Sequence, residues 1–386
     1  MSKYSIKSFD QILTFLVFII LVLLPAIEVI SRLFSSTGIV ASSVLVQHLT
    51  LWVGFLGAVI ASRRNNLLSL TTKPIFSSTE PIEWKNLVGK ITSIIIVLLL
   101  AYGSWLLVQV EIDFPVKIAP FISRWFALLI MPLGFLTIAY FMFFNSFKPW
   151  KQKIVVSIII VLIFLLFIYV EPIQESNIFM WIAILVLGLS LYVGAPIFIG
   201  LGGVAILFFW RDFTPLSAIS AETYRIVVSP TLPTIPLFTF AGYLLAESNA
   251  STRLVNLFRS TFGWIPGGTP IILVLLCGFF TALTGGSGVT ILALGGLFMP
   301  ILIKEGYSRS FSLGLITVAG SLGLLFPPSL PLIIYGVTAG VSIKAILLAG
   351  IVPGLIRLSM IGGWAIWQGK VQLVKKTSLS LNEASS

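Results

Sequence analysis

Long apolar blocks dominate the hydrophobic pattern of this chain. A helix that crosses a bilayer core of roughly 30 Å needs about 20 apolar residues, and the first half of the sequence repeatedly provides blocks of that length. They predict transmembrane helices at 11–31, 43–61, 91–110, 125–144 and 154–170. Because apolar residues fill whole blocks and do not recur at amphipathic spacing, the pattern indicates membrane helices.

The apolar runs change in character after residue 175, where they become longer and contain internal glycine and proline. The run at 178–210 is uncharged and bends at the sequence VGAP, which predicts two helices in a tight hairpin. The run at 260–303 has no Asp, Glu, Lys or Arg and is interrupted by GGSG at 285–288. We therefore divide the chain into a four-helix membrane unit at 1–150, a linking transmembrane helix at 151–175, a second membrane unit at 176–369 and a polar tail at 370–386.

The glycine-rich interruption at 285–288 separates two apolar arms of about 17 and 15 residues, each roughly 23–26 Å long as a helix. Both arms are shorter than the bilayer core, which predicts a re-entrant hairpin whose tip lies near the midplane. The tip offers carbonyls, helix ends and the hydroxyls of Thr284 and Ser287 to an ion or a polar solute. The alternative is a pair of ordinary helices with a glycine-rich packing contact.

A second interruption follows in TVAGSLGLLFPPSLPLIIYG, at 317–336. Pro327 and Pro328 cannot continue a helix, because proline has no N–H to donate. Carbonyls freed by the prolines then lie near the hydroxyls of Ser321 and Ser329. Such a hard, oxygen-rich environment suits Na⁺, and interrupted helices coordinate this ion in transporters.

The composition excludes a soluble domain, because 58% of the residues are hydrophobic and only 10% are charged. The net charge of +11 does not indicate nucleic acid, since the basic residues occupy short loops such as 62–90 and 145–153. By the positive-inside rule they place the N-terminus in the cytoplasm and the acidic EPIQES segment outside. Metal-ligand spacings, nucleophile elbows and Walker loops do not occur in the sequence, which gives catalysis and ATP use no support. We interpret His48, near a helix end, as structural.

The second unit resembles the large membrane subunit of tripartite ATP-independent periplasmic (TRAP) transporters. The matching segments cover about 235–354 and read TIPLFTFAGYLLAES, GWIPGG, FFTALTGGSGVTILALGGLFMPILIKEGY, GSLGLLFPPSLPLIIYGVTAGVSI and AGIVPG. The first unit is more loosely similar to the small membrane subunit, around WVGFLGAVIASRRNNLLSL. The resemblance therefore implies that the two subunits are fused in one chain.

The resemblance also implies a function and a fold. A periplasmic substrate-binding protein would deliver a small organic acid, often a carboxylate. The large subunit would carry it across the bacterial inner membrane with Na⁺ by an elevator motion, while the small subunit serves as scaffold. The expected fold is an all-α polytopic membrane protein, with a four-helix scaffold unit plus one half of an inverted-repeat elevator transporter that contains a re-entrant helical hairpin. Membrane lipid is an expected partner, and nucleic acid is not.

The site residues follow from the same resemblance. The family's hairpin tip usually reads Ser-Gly-Ser-Ser, whereas residues 284–287 here read Thr-Gly-Gly-Ser, so the hydroxyl expected at Gly286 is missing. The implied Na⁺ site lies between the tip and the second interruption, with the substrate beside it. The expected sodium-binding residues are Gly285, Gly286, Ser287, Gly320, Ser321, Gly323 and Pro327. The expected substrate-binding residues are Thr284, Ser287, Pro328 and Ser329.

The chain contains one hairpin and one broken helix, whereas the family's large subunit has two inverted halves with one of each. We therefore expect that the chain is truncated after the first half, so that it is part of a longer product or a second polypeptide supplies the other half. Two alternatives to a transporter stay open at this point. The chain could be a non-transporting scaffold that needs a second polypeptide, or a channel-like pore built on a re-entrant loop.

Overall fold

The apolar blocks of the first half form the helices that their lengths predict. The computed structural model describes residues 9–34, 38–39, 41–71, 84–120, 122–147, 149–169, 177–248, 253, 268–284 and 287–371. The described helices up to residue 230 are α1 (Phe9–Phe34), α2 (Ser42–Arg63), α3 (Trp84–Asp113), α4 (Arg124–Leu128), α5 (Ile130–Ser146), α6 (Trp150–Tyr169), α7 (Asn177–Val193), α8 (Ile197–Arg211) and α9 (Ser217–Val227). A short antiparallel hairpin, β1 (Lys117–Ala119) and β2 (Ile122–Ser123), precedes α4.

The described part of the chain after residue 230 is also helical. Its elements are α10 (Thr234–Glu247), α11 (Gly268–Thr284), α12 (Ser287–Lys304), α13 (Arg309–Ala319), a 3₁₀ helix (Leu322–Leu325), α14 (Leu330–Ala339) and α15 (Ile343–Val371). Among the described residues, six helices are long and apolar enough to cross a membrane, and a bent pair, Arg309–Leu325 with Leu330–Ala339, could supply a seventh span. The chain is therefore an all-α polytopic membrane protein, as its sequence predicts.

Spatial packing divides the chain into a unit within Met1–Pro230 and a unit within Thr231–Ser386. This boundary differs from the sequence division near residue 150, because α7, α8 and α9 pack against α3 of the four-helix unit. The sequence division follows the change from uninterrupted apolar runs to runs that contain glycine and proline. The structural division follows which helices pack together. The modules at 1–150, 151–175 and 176–369 therefore stay a prediction, and residues 372–386 of the predicted tail lie outside the described residues.

Helix α3 is the centre of the first unit. Of the 18-residue apolar stretch of α3, 61% of the residues are buried, compared with 11% in the equivalent stretches of α1 and α6. Its consecutive residues Ile94–Val97 are buried and join a core with α5 and α8. Helices α7 and α8 form the tight hairpin predicted at 178–210. They turn at Gly194, whose φ of 112° favours glycine, and Gly203 of α8 then packs directly against Leu187 of α7.

Helix α9 is held on α2 and α3 by a close backbone approach and two buried polar contacts. A Cβ on Gly103 of α3 would lie 2.6 Å from the carbonyl oxygen of Leu216, so only glycine fits there. The hydroxyls of Ser104 and Ser220 are 3.0 Å apart. His48 Nδ1 lies 2.7 Å from the Val44 carbonyl and donates to it, so Nε2 accepts from the Tyr224 hydroxyl at 2.8 Å. The contact gives His48 a structural role, as interpreted from the sequence.

The second unit is built around α11. Residues of α11 that include Ile272, Leu273 and Phe280 are buried and form a core with α12, α13 and α15. Helix α10 also packs against α11 and α12. In contrast, only 11% of the apolar window of α15 is buried within the unit, so most of this helix is available to lipid or to another polypeptide. Helix α11 also contacts α13 and the 3₁₀ helix Leu322–Leu325.

We expect Gly103→Ala to destabilise the first unit by about 1–3 kcal/mol, because the new methyl group overlaps the Leu216 carbonyl. The free energy of unfolding can be measured by SDS titration in mixed micelles. Gly188→Ala on α7 is the matched control, since a Cβ there meets no atom within 4 Å. Equal stability of the two variants would contradict the close packing of α9 on α3.

Candidate functional site

Helices α11 and α12 lie side by side as a helical hairpin. At the end away from the glycines, the Thr269 hydroxyl donates to Glu305 Oε1 at 2.7 Å, which joins the start of α11 to the residue after α12. The arms contain 17 and 18 residues, about 26 and 27 Å as helices, which is shorter than a bilayer core of roughly 30 Å. Their lengths therefore agree with the short arms expected on both sides of the glycine-rich interruption.

The tip of this hairpin is only partly described. Helix α11 ends at Thr284 and α12 begins at Ser287, on the two sides of Gly285 and Gly286. Gly285 and Gly286 lie outside the described residues, as does the side chain of Thr284. Ser287 is half-buried in the first turn of α12. The sodium and substrate roles expected of these four residues stay predictions.

The second interruption is a break between α13 and α14. Helix α13 ends at Ala319, the 3₁₀ helix Leu322–Leu325 follows, and α14 begins at Leu330, with a bend of 43° across the break. Pro327 and Pro328 lie at the bend, as their lack of an N–H predicts. The break also brings together most of the expected site residues, which are Gly320, Ser321, Gly323, Pro327, Pro328 and Ser329.

The break is attached directly to the C-terminal turn of α11. The buried Thr281 hydroxyl donates to the Gly320 carbonyl at 2.9 Å. A Cβ on Gly323 would lie 2.3 Å from the Gly278 carbonyl oxygen, so the two backbones touch. Gly320 likewise packs against Ile291 of α12, where a Cβ would lie 2.4 Å from the side chain. The second helix break therefore packs directly against both arms of the hairpin, and Gly320 and Gly323 are needed for this packing.

Three hydroxyls at this junction donate to backbone carbonyls. Besides Thr281, Ser321 donates to the Val318 carbonyl at 2.8 Å and Ser329 donates to the Leu324 carbonyl. A hydroxyl that donates its proton keeps lone pairs, and a carbonyl that accepts one hydrogen bond keeps a second lone pair. The junction therefore supplies hydroxyl and carbonyl oxygens of the kind that Na⁺ prefers. Ser329 is fully buried, whereas Pro327 is exposed.

Helix α15 also packs against the break with one face. Gly350 lies against the Leu325 carbonyl, where a Cβ would be 2.6 Å from the oxygen, and Gly354 lies against the ring of Phe326. One turn further along the same face, Arg357 Nη2 donates to Ser321 Oγ at 2.8 Å. The guanidinium therefore places a positive charge beside the Ser321 hydroxyl, whose own proton is directed to the Val318 carbonyl.

Family comparisons agree with this geometry. The description "Tripartite ATP-independent periplasmic transporter, DctM component" matches residues 179–385, more than half of the chain. The DctQ component of the same transporters matches residues 21–152. The chain belongs to the TRAP transporter family. Components that correspond to the small and large membrane subunits are fused in it, as the sequence resemblance implies.

Several TRAP transporter proteins are similar to part of this chain. The isethionate TRAP transporter permease protein DctMQ of Oleidesulfovibrio alaskensis is 34% identical over 183 residues, which are 47% of this chain and 29% of that protein. The C4-dicarboxylate TRAP transporter large permease protein DctM of Vibrio cholerae is 35% identical over 175 residues, 45% of this chain and 38% of that protein. The ectoine TRAP transporter large permease protein TeaC of Halomonas elongata is 33% identical over 173 residues, 44% and 40% of the respective chains.

These alignments cover less than half of each relative, between 29% and 40% of its length. All three relatives are named as transporter permeases, which places the chain among transport proteins. The aligned portion of each TRAP relative does not by itself define a substrate or partners for this chain.

The sequence analysis did not identify Thr281 and Arg357, which contact Gly320 and Ser321 at the second helix break. Thr281 carried a signal, because it is a hydroxyl residue one turn before the glycine pair. Arg357 carried a stronger one, because it is an isolated charge within an apolar run. Their contacts with Gly320 and Ser321 depend on how helices distant in sequence pack together, which neither local pattern indicates.

We expect Thr281→Val to destabilise the second unit by about 1–3 kcal/mol, because it leaves the buried Gly320 carbonyl without its donor. SDS titration of the full chain in mixed micelles would measure the loss. Thr281→Ser keeps the hydroxyl and is the matched control, so it should retain most of the stability. If valine were tolerated as well as serine, the bond between the two breaks would not be a stabilising one.

Proposed function

We propose that the chain is the membrane component of a Na⁺-coupled secondary transporter that imports a small organic acid. In this proposal a periplasmic substrate-binding protein delivers the acid to a multi-pass protein of the bacterial inner membrane, whose N-terminus is cytoplasmic. The basic loops at 62–90 and 145–153 support that orientation through the positive-inside rule. Because the chain aligns with only part of its TRAP relatives, the proposal concerns the assembled transporter.

The hydrogen bond between Thr281 and Gly320 is the observation that carries the proposal. It joins a hairpin of two short apolar arms to a helix that is broken by Pro327 and Pro328. Irregular backbone at membrane depth is tolerated where protein covers it or water reaches it. Broken helices whose ends converge are also the usual construction of ion and substrate sites in secondary transporters. The hairpin is thus proposed to be re-entrant, with its tip near the midplane.

The donor atoms at the junction fit a sodium ion. The carbonyls of Gly320 and Leu324 and the hydroxyls of Thr281 and Ser329 are neutral oxygen donors that retain lone pairs. We propose that they hold Na⁺ together with carbonyls of the hairpin tip. Bound sodium would supply positive charge beside the break and favour entry of an anion. The close packing of Gly320 and Gly323 against α12 and α11 keeps these oxygens oriented.

The names of the relatives support a small organic anion as the substrate class. They refer to a C4-dicarboxylate, to isethionate and to ectoine, which differ in detail but are all small organic acids or zwitterions. An elevator motion, with the first component as part of the scaffold, is proposed from membership of the TRAP family. The extensive packing of α7, α8 and α9 around α3 is compatible with a rigid scaffold.

We expect uptake of radiolabelled succinate by the assembled transporter in proteoliposomes to require an inward Na⁺ gradient and a substrate-binding protein. Replacement of Na⁺ by choline at the same ionic strength should reduce uptake to the level of empty liposomes. A panel of sulfonates and ectoine would extend the test to other small organic solutes. Uptake at the same rate in choline would refute sodium coupling, and current that rises linearly with voltage without saturation would indicate a pore.

A further inference from the structure

Arg357 is the central residue of α15, a helix of 29 residues. The helix is long and apolar enough to cross the membrane, and Lys344 and Lys370 lie near its two ends. Because Arg357 lies midway along a helix that is long enough to span the bilayer core, it is expected near the bilayer midplane. A charged side chain at the centre of a membrane helix costs about 2.5–3.5 kcal/mol on insertion scales and marks a functional site by default.

The guanidinium of Arg357 is oriented by the second helix break. Its Nη2 donates to Ser321 Oγ at 2.8 Å. The proton of the Ser321 hydroxyl is directed to the Val318 carbonyl at 2.8 Å, which leaves a lone pair to accept from Arg357. Gly354, three residues earlier on α15, brings this face of the helix close to Phe326. The positive charge is thus held beside the residues of the proposed transport site.

The charge of Arg357 has no carboxylate partner in the described part of the chain. The acidic residues of 231–386 are Glu247, Glu305 and Glu383. Glu305 accepts from Thr269 at the end of the hairpin away from its tip, and no ion pair joins it to Arg357 within the described residues. Glu383 and the side chain of Glu247 lie outside the described residues. A guanidinium has five N–H donors, and one hydrogen bond to a serine leaves most of them for another ligand.

A carboxylate suits those remaining donors better than a lipid phosphate does. Planar guanidinium groups bind carboxylates and phosphates alike through two parallel hydrogen bonds, so the depth of Arg357 in the membrane decides between them. Phosphate headgroups lie about 15 Å from the midplane, and side chains reach them readily only from near the helix ends. Arg357 is half-buried, so part of its surface is accessible within the unit. The ligand must therefore come to the centre of the membrane, as a transported anion does.

We propose that Arg357 binds the carboxylate of the transported organic acid beside the second helix break, with Ser321 as its positioning residue. The inference rests on the proposed transport of an organic acid and adds a binding residue to it. It separates the two charges of the site: the cation is held by neutral oxygens near Thr281 and Gly320, and the anion is held by Arg357 on the α15 side.

Site-resolved arginine modification tests this proposal on the full chain in phosphatidylcholine nanodiscs. The reagent is p-hydroxyphenylglyoxal, and mass spectrometry of the digested chain reports the modification rate at each arginine. Succinate at ten times its dissociation constant should slow modification of Arg357 roughly tenfold. Succinamide, which has the same carbon skeleton but no charge, should not slow it. Arg309, exposed at the start of α13, is the internal control and should react equally in both solutions.

A single variant tests the positioning role of Ser321. Ser321→Ala removes the hydroxyl that orients the guanidinium, so it should weaken protection by succinate while the rate at Arg309 stays unchanged. Equal modification of Arg357 with succinate and with succinamide would overturn the proposal, and so would protection that appears at Arg309 as well. Undiminished protection in Ser321→Ala would overturn the role of Ser321.

The same measurement in choline chloride separates this inference from sodium coupling. Protection of Arg357 by succinate that persists without Na⁺ supports the carboxylate site even where coupling fails. If succinate protects Arg357 of the wild-type protein in neither salt, the carboxylate site is overturned. The uptake test of sodium coupling is unaffected by that result.

Discussion

The absence of hydrogen-bond partners in hydrocarbon is the constraint on which the second unit depends. A helix that stops inside the membrane leaves carbonyls and N–H groups that lipid cannot satisfy. The chain satisfies them internally: Thr281 donates to Gly320 across two elements, and Ser329 donates to Leu324 within the break. The same hydroxyls also keep backbone carbonyl oxygens oriented at the break. Stability of the break and the sodium site that we propose for it therefore have a common origin.

Glycine makes this arrangement possible by close contact. Gly323 brings the backbone of the break onto α11, and Gly350 brings α15 onto the Leu325 carbonyl. Small residues let helices in membranes approach closely, and dispersion contacts and polar bonds then replace the hydrophobic driving force that lipid does not provide. The first unit uses the same device, where Gly103 accommodates the backbone before α9. The resulting rigid packing suits a transporter whose site must be held in position.

The main features of the fold could be predicted from the sequence, because they follow from local pattern. Apolar blocks of membrane length predict the helices, and Pro327 and Pro328 predict the end of a helix wherever it packs. The contacts at the site could not be predicted, because Thr281 and Gly320 are 39 residues apart and meet only through the rotation of two packed helices. Ser321 is a second example, because nothing in its local sequence indicates that Arg357, 36 residues away, donates to its hydroxyl.

Hydrogen–deuterium exchange tests most directly whether the two breaks form one sodium site. The full chain in nanodiscs would be compared in Na⁺ and in K⁺ at the same ionic strength, with peptides that cover 278–290 and 318–332. The account predicts that Na⁺ slows exchange in both segments together, because one ion binds oxygens from both, and that K⁺ has little effect. Equal exchange in the two salts, or protection of one segment alone, would contradict a shared sodium site.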